Sequence, residues 1–144
     1  MYYKTILFTF LCGIPIISLA NCPSPSTVVF SCGSGNGQMI CSWISTTGWY
    51  EGSGDPTGKA QPGDTASAFQ SVIWMPYPNP DSKNGTTTCF YVSSFHEPIM
   101  LFQQTGYGTV PPPKGPLWTP FSSDSKNGLT CSQSENTCHF NFGD

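Results

Sequence analysis

The chain has 144 residues, of which 14% are aromatic and only 9% charged; 5 lysines stand against 8 acidic residues, with no arginine, for a net charge of −3. So few cations cannot form the cluster that displaces phosphate counterions, which excludes nucleic acid and argues equally against phosphate esters and anionic lipid. The length suits one domain rather than two.

The first element is a secretory signal peptide over residues 1–20. Lys4 supplies the charge of its n-region, Ile6 to Ile17 its apolar stretch, and Ser18 and Ala20 the small residues before the cleavage point. That apolar run, broken by Pro15, is well short of the ~20 residues that span a bilayer. Cleavage after Ala20 is expected to leave residues 21–144 as a single secreted β-rich domain with no membrane anchor. Within "SLANCPSP", Cys22 invites comparison with a lipidated cysteine. A lipobox wants Gly, Ala or Ser just before it, and Asn21 stands there instead.

Strands are predicted next over Thr27–Ser31, Met39–Ile44, Ala68–Met75, Thr86–Phe95, Ile99–Gln104 and His139–Phe142, from β-branched and aromatic enrichment and partial alternation. The one hint of helical spacing is a short turn over Thr65–Phe69. Between the strands, Gly48–Gly63 reads as a long loop, Glu97-Pro98 as a turn, and Thr105–Pro116 as a loop with a stiff "VPPPKGP" spacer.

Two segments resemble each other. "WMPYPNPDSKNGTTTC" (Trp74–Cys89) and "WTPFSSDSKNGLTC" (Trp118–Cys131) share Trp-x-Pro-aromatic, Asp-Ser-Lys-Asn-Gly and Thr-Cys; "NGQMIC" (Asn36–Cys41) is a fainter third copy. Asn-Gly tolerates positive φ at both positions of a type I′ turn, so each copy reads as strand, turn, strand with its cysteine on the outgoing strand. A calcium loop is disfavoured because Lys83 and Lys126 occupy positions where an oxygen ligand is needed.

Setting aside Cys12 in the signal peptide, six cysteines remain: Cys22, Cys32, Cys41, Cys89, Cys131 and Cys138. In an exported chain an even count reads as three disulfides. No Cys-x-x-Cys or histidine spacing suggests a metal, and no cofactor is expected. Six cysteines allow fifteen connectivities. Cys131–Cys138, closing "CSQSENTC", is the local choice, and Cys32–Cys41 is equally local. The whole reads as an all-β fold: a small, disulfide-stapled β-sandwich or barrel-like domain with long Gly/Pro-rich loops.

The segments "NCPSPS", "TCFYV" and "LTCSQSENTCHF" together resemble a family of small exported proteins of Gram-negative bacteria, including intracellular pathogens, known as a domain of unknown function. The resemblance implies a periplasmic or secreted, disulfide-bonded β-rich domain and no particular activity.

Chemistry-bearing residues are sparse. No Gly-x-Ser-x-Gly elbow occurs, and no spacing singles out a carboxylate pair among Glu51, Asp55, Asp64 and Glu97. A small secreted hydrolase would have to use His96 or His139 with a loop carboxylate. The stronger expectation is recognition, by a monomer, of a protein or glycan, as a virulence-associated or envelope factor. Trp49, Tyr50, Tyr77, Tyr107, Trp118 and Phe121 lie beside Gly, Pro, Ser and Asn, where rings can serve as stacking platforms or anchors. Trp74 and Trp118, being duplicated, also suit a shared structural task.

Overall fold

The computed structural model describes residues 19–51, 58–78, 84–103, 110–123 and 126–141. The apolar stretch of the expected signal peptide lies outside them. The strands are β1 (Leu19–Ala20), β2 (Val28–Gly35), β3 (Gln38–Ser45), β4 (Trp49–Tyr50), β5 (Ala66–Pro76), β6 (Gly85–Ser93), β7 (Pro98–Gln103), β8 (Thr119–Ser123), β9 (Lys126–Cys131) and β10 (Phe140–Asn141). The fold is all-β, with one 3₁₀ turn at Pro25–Thr27 and no α-helix among the described residues.

Period-two alternation sets the inside. Along β6, Gly85, Thr87, Cys89, Tyr91 and Ser93 are buried and the residues between them are half-exposed. In β7 the same rule turns Ile99 and Leu101 inward, and in β3 it buries Trp43 and Ser45. Phe30, Trp49, Val72, Trp74, Val110 and Phe140 complete an aromatic-rich core. Antiparallel pairing orders the main sheet β2-β3-β4-β7-β6-β5-β9-β8, while β1 pairs with β10.

The sheet curls back on itself. Val29 bridges Thr65, Phe30 N–H donates to the Asp64 carbonyl (2.8 Å), and Gly63 N–H donates to the Phe30 carbonyl (2.9 Å). These bonds join β2 to the entry of β5, closing β2-β3-β4-β7-β6-β5 in the manner of a barrel. Two register shifts in β5, between Ala66 and Ala68 and between Phe69 and Ser71, add local bend and twist. The helical turn expected over Thr65–Phe69 is strand instead, because pairing with β6 and β2 overrides a weak local preference.

The duplicated motif folds as two hairpins, β5–β6 and β8–β9, with Cys89 and Cys131 on the outgoing strands as expected. The Asn-Gly turns are corrected. In the second copy, Ser123 pairs with Lys126, so the chain reverses before Asn127-Gly128, and both of those residues lie in β9. Gly85 likewise opens β6, opposite Pro76. The fainter third copy is the one that forms the turn: Asn36 (φ 50°) and Gly37 (φ 78°) connect β2 and β3, where Gly35 pairs with Gln38.

Three disulfides form. Cys131–Cys138 and Cys32–Cys41 are the two local pairs, and Cys22–Cys89 is the third. Beside the last, the buried Tyr91 phenol donates to the Pro23 carbonyl (2.7 Å). Burial, and secondarily the negative Glu135, push this phenol well above its ordinary pKa. Its neutral form is thus favoured on folding, a contribution present at neutral pH and lost as pH rises past about 10, where the unfolded tyrosine ionises. Tyr91→Phe is expected to cost about 1–3 kcal/mol at pH 7, since it strands a buried carbonyl. The same variant should flatten the decline above pH 10; an unaltered alkaline profile in thermal melts would contradict this.

Candidate functional site

Strand β4 is two residues long and lies inside the segment expected to be a loop. Its placement follows from a tight turn built on Ser45. The Ser45 hydroxyl contacts Thr47 Oγ1 (2.7 Å) and accepts the Thr47 N–H (3.1 Å), while Gly48 takes a φ of 83°. The chain then returns along β3: Ile44 pairs with Tyr50, and Glu51 N–H donates to the Trp43 carbonyl (2.8 Å).

Alternation across β4 sends its two rings opposite ways. Trp49 is 3% exposed and meets Phe140 edge-on, with centroids 6.1 Å apart. Its ring belongs to the core and presents no face to a ligand, so the adjacent pair Trp49-Tyr50 does not form a joint platform. Tyr50 faces outward. The register continues the row from Ile44 through Tyr50 to Phe102 of β7, then Thr88 of β6 and Ile73 of β5. Met100 lies two residues from Phe102 on the same face, opposite the half-buried Phe90. Ile44, Tyr50, Met100 and Phe102 are each 38–40% exposed. Burial of Trp43, Trp49, Ile99 and Leu101 forces their neighbours outward, but it does not require those neighbours to be apolar. Ile44, Tyr50, Met100 and Phe102 thus form an apolar row on the outer face of the sheet.

The strands that build this face carry no charge. Strands β2 to β7 contain no Asp, Glu, Lys, Arg or His. Among the described residues an ion pair joins Lys59 Nζ to Glu97 Oε1 (3.1 Å), with Lys59 62% exposed, a geometry that contributes little.

The other expected binding residues scatter. Tyr77 is half-buried after β5, with its N–H donating to the Asn84 carbonyl (3.1 Å). Trp118 is half-buried and donates Nε1–H to the His139 carbonyl (3.1 Å), while Phe121 is half-buried in β8 opposite Gly128. Trp74 is core, its Nε1–H donating to the Val110 carbonyl (2.8 Å). Tyr107 lies outside the described residues. Ile44, Met100 and Phe102 escaped sequence reasoning. A signal existed in "IMLF" (Ile99–Phe102), since four consecutive apolar residues on a strand make both of its faces apolar.

The two histidines lie apart in the fold. His96 occupies the β6–β7 turn with φ 63°, its N–H donating to the Ser93 carbonyl (3.0 Å). The His139 ring pairs through Nδ1 with Asn21 Oδ1 (2.5 Å). Among the described residues neither ring is hydrogen-bonded to a carboxylate, and no cluster of His, Cys, Asp or Glu is arranged to hold a metal. No helix of the described residues is long and apolar enough to cross a membrane. Comparison with protein-family models, with curated proteins and with solved structures finds no match to this chain.

Proposed function

We propose that the protein is an exported recognition domain that binds a partner protein through the outer face of β3, β4 and β7, with a glycan ligand as the second arm of the test. The observation that carries this reading is the uncharged row Ile44–Tyr50–Phe102 with Met100 beside it. Two aliphatic side chains beside two rings favour an apolar protein surface over a sugar, which needs more hydrogen-bonding groups around the ring. Because β2 to β7 carry no charged residue, binding should change little between low and high salt.

Export belongs to the same proposal. Three disulfides fit an oxidising compartment. Lipidation of Cys22 would consume the sulfur that Cys22–Cys89 uses, so the two fates exclude each other. Cleavage after Ala20 removes β1. It leaves the C-terminal strand held by Cys131–Cys138, the Trp118–His139 bond and the His139–Asn21 contact. Intact mass under non-reducing conditions tests this: an Asn21 start with three bridges is expected, and a diacylglycerol on Cys22 overturns it.

The binding test uses panels of envelope proteins, host-surface proteins and glycans, screened with wild type and with Tyr50→Thr/Phe102→Thr. The double variant is expected to weaken any specific binding at least tenfold while the protein stays folded with a modestly lowered melting temperature, because both rings lie on the outer face and threonine suits a paired strand position. Binding that survives the double variant would place recognition elsewhere.

A further inference from the structure

The six cysteines differ in accessibility. Cys22, Cys89, Cys131 and Cys138 are at most 3% exposed, whereas Cys32 and Cys41 are half-buried. Those two face each other across the β2–β3 hairpin, between the Asn36-Gly37 turn and the barrel wall where Phe30 packs on Trp43 (centroids 5.3 Å apart). Thiol–disulfide exchange requires a thiolate to reach a sulfur, so access decides which bridge reacts. From Asn21 through Tyr50 the chain carries no charged side chain to repel an incoming anion. The hairpin also has other supports. Its register runs from Val28↔Ser45 to Gly35↔Gln38 and ends in a turn whose residues suit it. Opening the bridge therefore leaves the strand pairing in place.

We propose that Cys32–Cys41 is a thiol-exchange site that accepts electrons from an external dithiol. One thiolate of the dithiol attacks a sulfur of the bridge, forming a mixed disulfide and expelling the other cysteine as a thiolate, which takes a proton. The second thiolate of the dithiol then displaces the remaining cysteine, which is protonated in turn. Two electrons and two protons pass to the protein, and the dithiol leaves as a disulfide. The rate rises with pH because the thiolate attacks. The product is a folded protein with two accessible thiols beside Met39, which is 80% exposed, and these are open to further modification.

The test treats the oxidised protein, without denaturant, with graded dithiothreitol. Samples are quenched with N-ethylmaleimide and mapped by peptide mass spectrometry while near-ultraviolet circular dichroism is followed. Label is expected in Cys32 and Cys41 at least about tenfold faster than in the other four, with the dichroism retained. Equal labelling of another pair, or labelling that tracks loss of the dichroism, overturns the proposal. Cys32→Ser/Cys41→Ser should fold and lack the fast phase; failure of this variant to fold would overturn the claim that the hairpin stands without its bridge.

Discussion

Replacing Cys22 and Cys89 together by alanine is expected to destabilise the fold by about 4 kcal/mol, lowering the melting temperature by on the order of 10 °C or more. The bond spans a sequence separation of 67, against 9 for Cys32–Cys41 and 7 for Cys131–Cys138. In the chain-entropy account the cost of a lost bridge grows with the loop it closes, so the local pairs should cost only about 2–3 kcal/mol each. Both Cys22 and Cys89 are also buried, so truncation leaves unfilled space in the core. The Tyr91–Pro23 hydrogen bond lies one residue from Cys22 and two from Cys89, and it ties the same two segments together. Tyr91→Phe should therefore cost a different amount with and without the bridge, a coupling that a double-mutant cycle measures. Urea unfolding of the paired cysteine variants decides the matter. A Cys22/Cys89 variant no less stable than the Cys32/Cys41 variant would contradict this ranking.

Gly85→Ala and Gly128→Ala are each expected to cost about 3 kcal/mol or more, whereas Gly33→Ala should be neutral or slightly stabilising. The two glycines end the Asp-Ser-Lys-Asn-Gly copies, and they flank the same stretch of β5 from opposite sides. A Cβ at Gly85 would sit 2.0 Å from the Met75 carbonyl oxygen and 2.8 Å from the Trp74 ring. At Gly128 it would meet the Trp74 carbonyl oxygen at 2.4 Å and the Met75 sulfur at 2.6 Å. Carbonyls in a strand cannot move aside as a flexible side chain could, so the sheet itself must deform. Gly33 has nothing within 4 Å of its would-be Cβ. Thermal melts of the three single variants check this, and a mild effect at both Gly85 and Gly128 would disprove the close approach. The repeat thus serves Trp74, whose indole is anchored to Val110 in the core.

The duplicated motif shows how a local pattern can be read correctly in outline and wrongly in cause. Asn-Gly in "DSKNG" has the composition of a hairpin turn, and hairpins do form there. Composition cannot tell a glycine chosen for positive φ from one chosen to let two strands approach, because both demands simply remove Cβ. At Asn36-Gly37 the backbone takes the left-handed conformation, while Gly128 lies within a strand. Strand β4 escaped notice for a related reason. Two residues offer no periodicity, and their strand character comes wholly from pairing with β3 and β7.

The sequence by itself determined that the chain is all-β and stapled by three disulfides, because alternation, turn residues and an even cysteine count are local properties. Short spacing favoured Cys131–Cys138 and left Cys32–Cys41 open as an equally local pair, since nearby cysteines meet only where the chain turns between them. Only the tertiary structure decided that Cys22 reaches Cys89, that Trp49 is core while Tyr50 faces out, and that Ile44, Tyr50 and Phe102 share a row. These depend on which strands lie side by side, and in a sheet that neighbours by register rather than by sequence, distant residues become adjacent only after the strands pair.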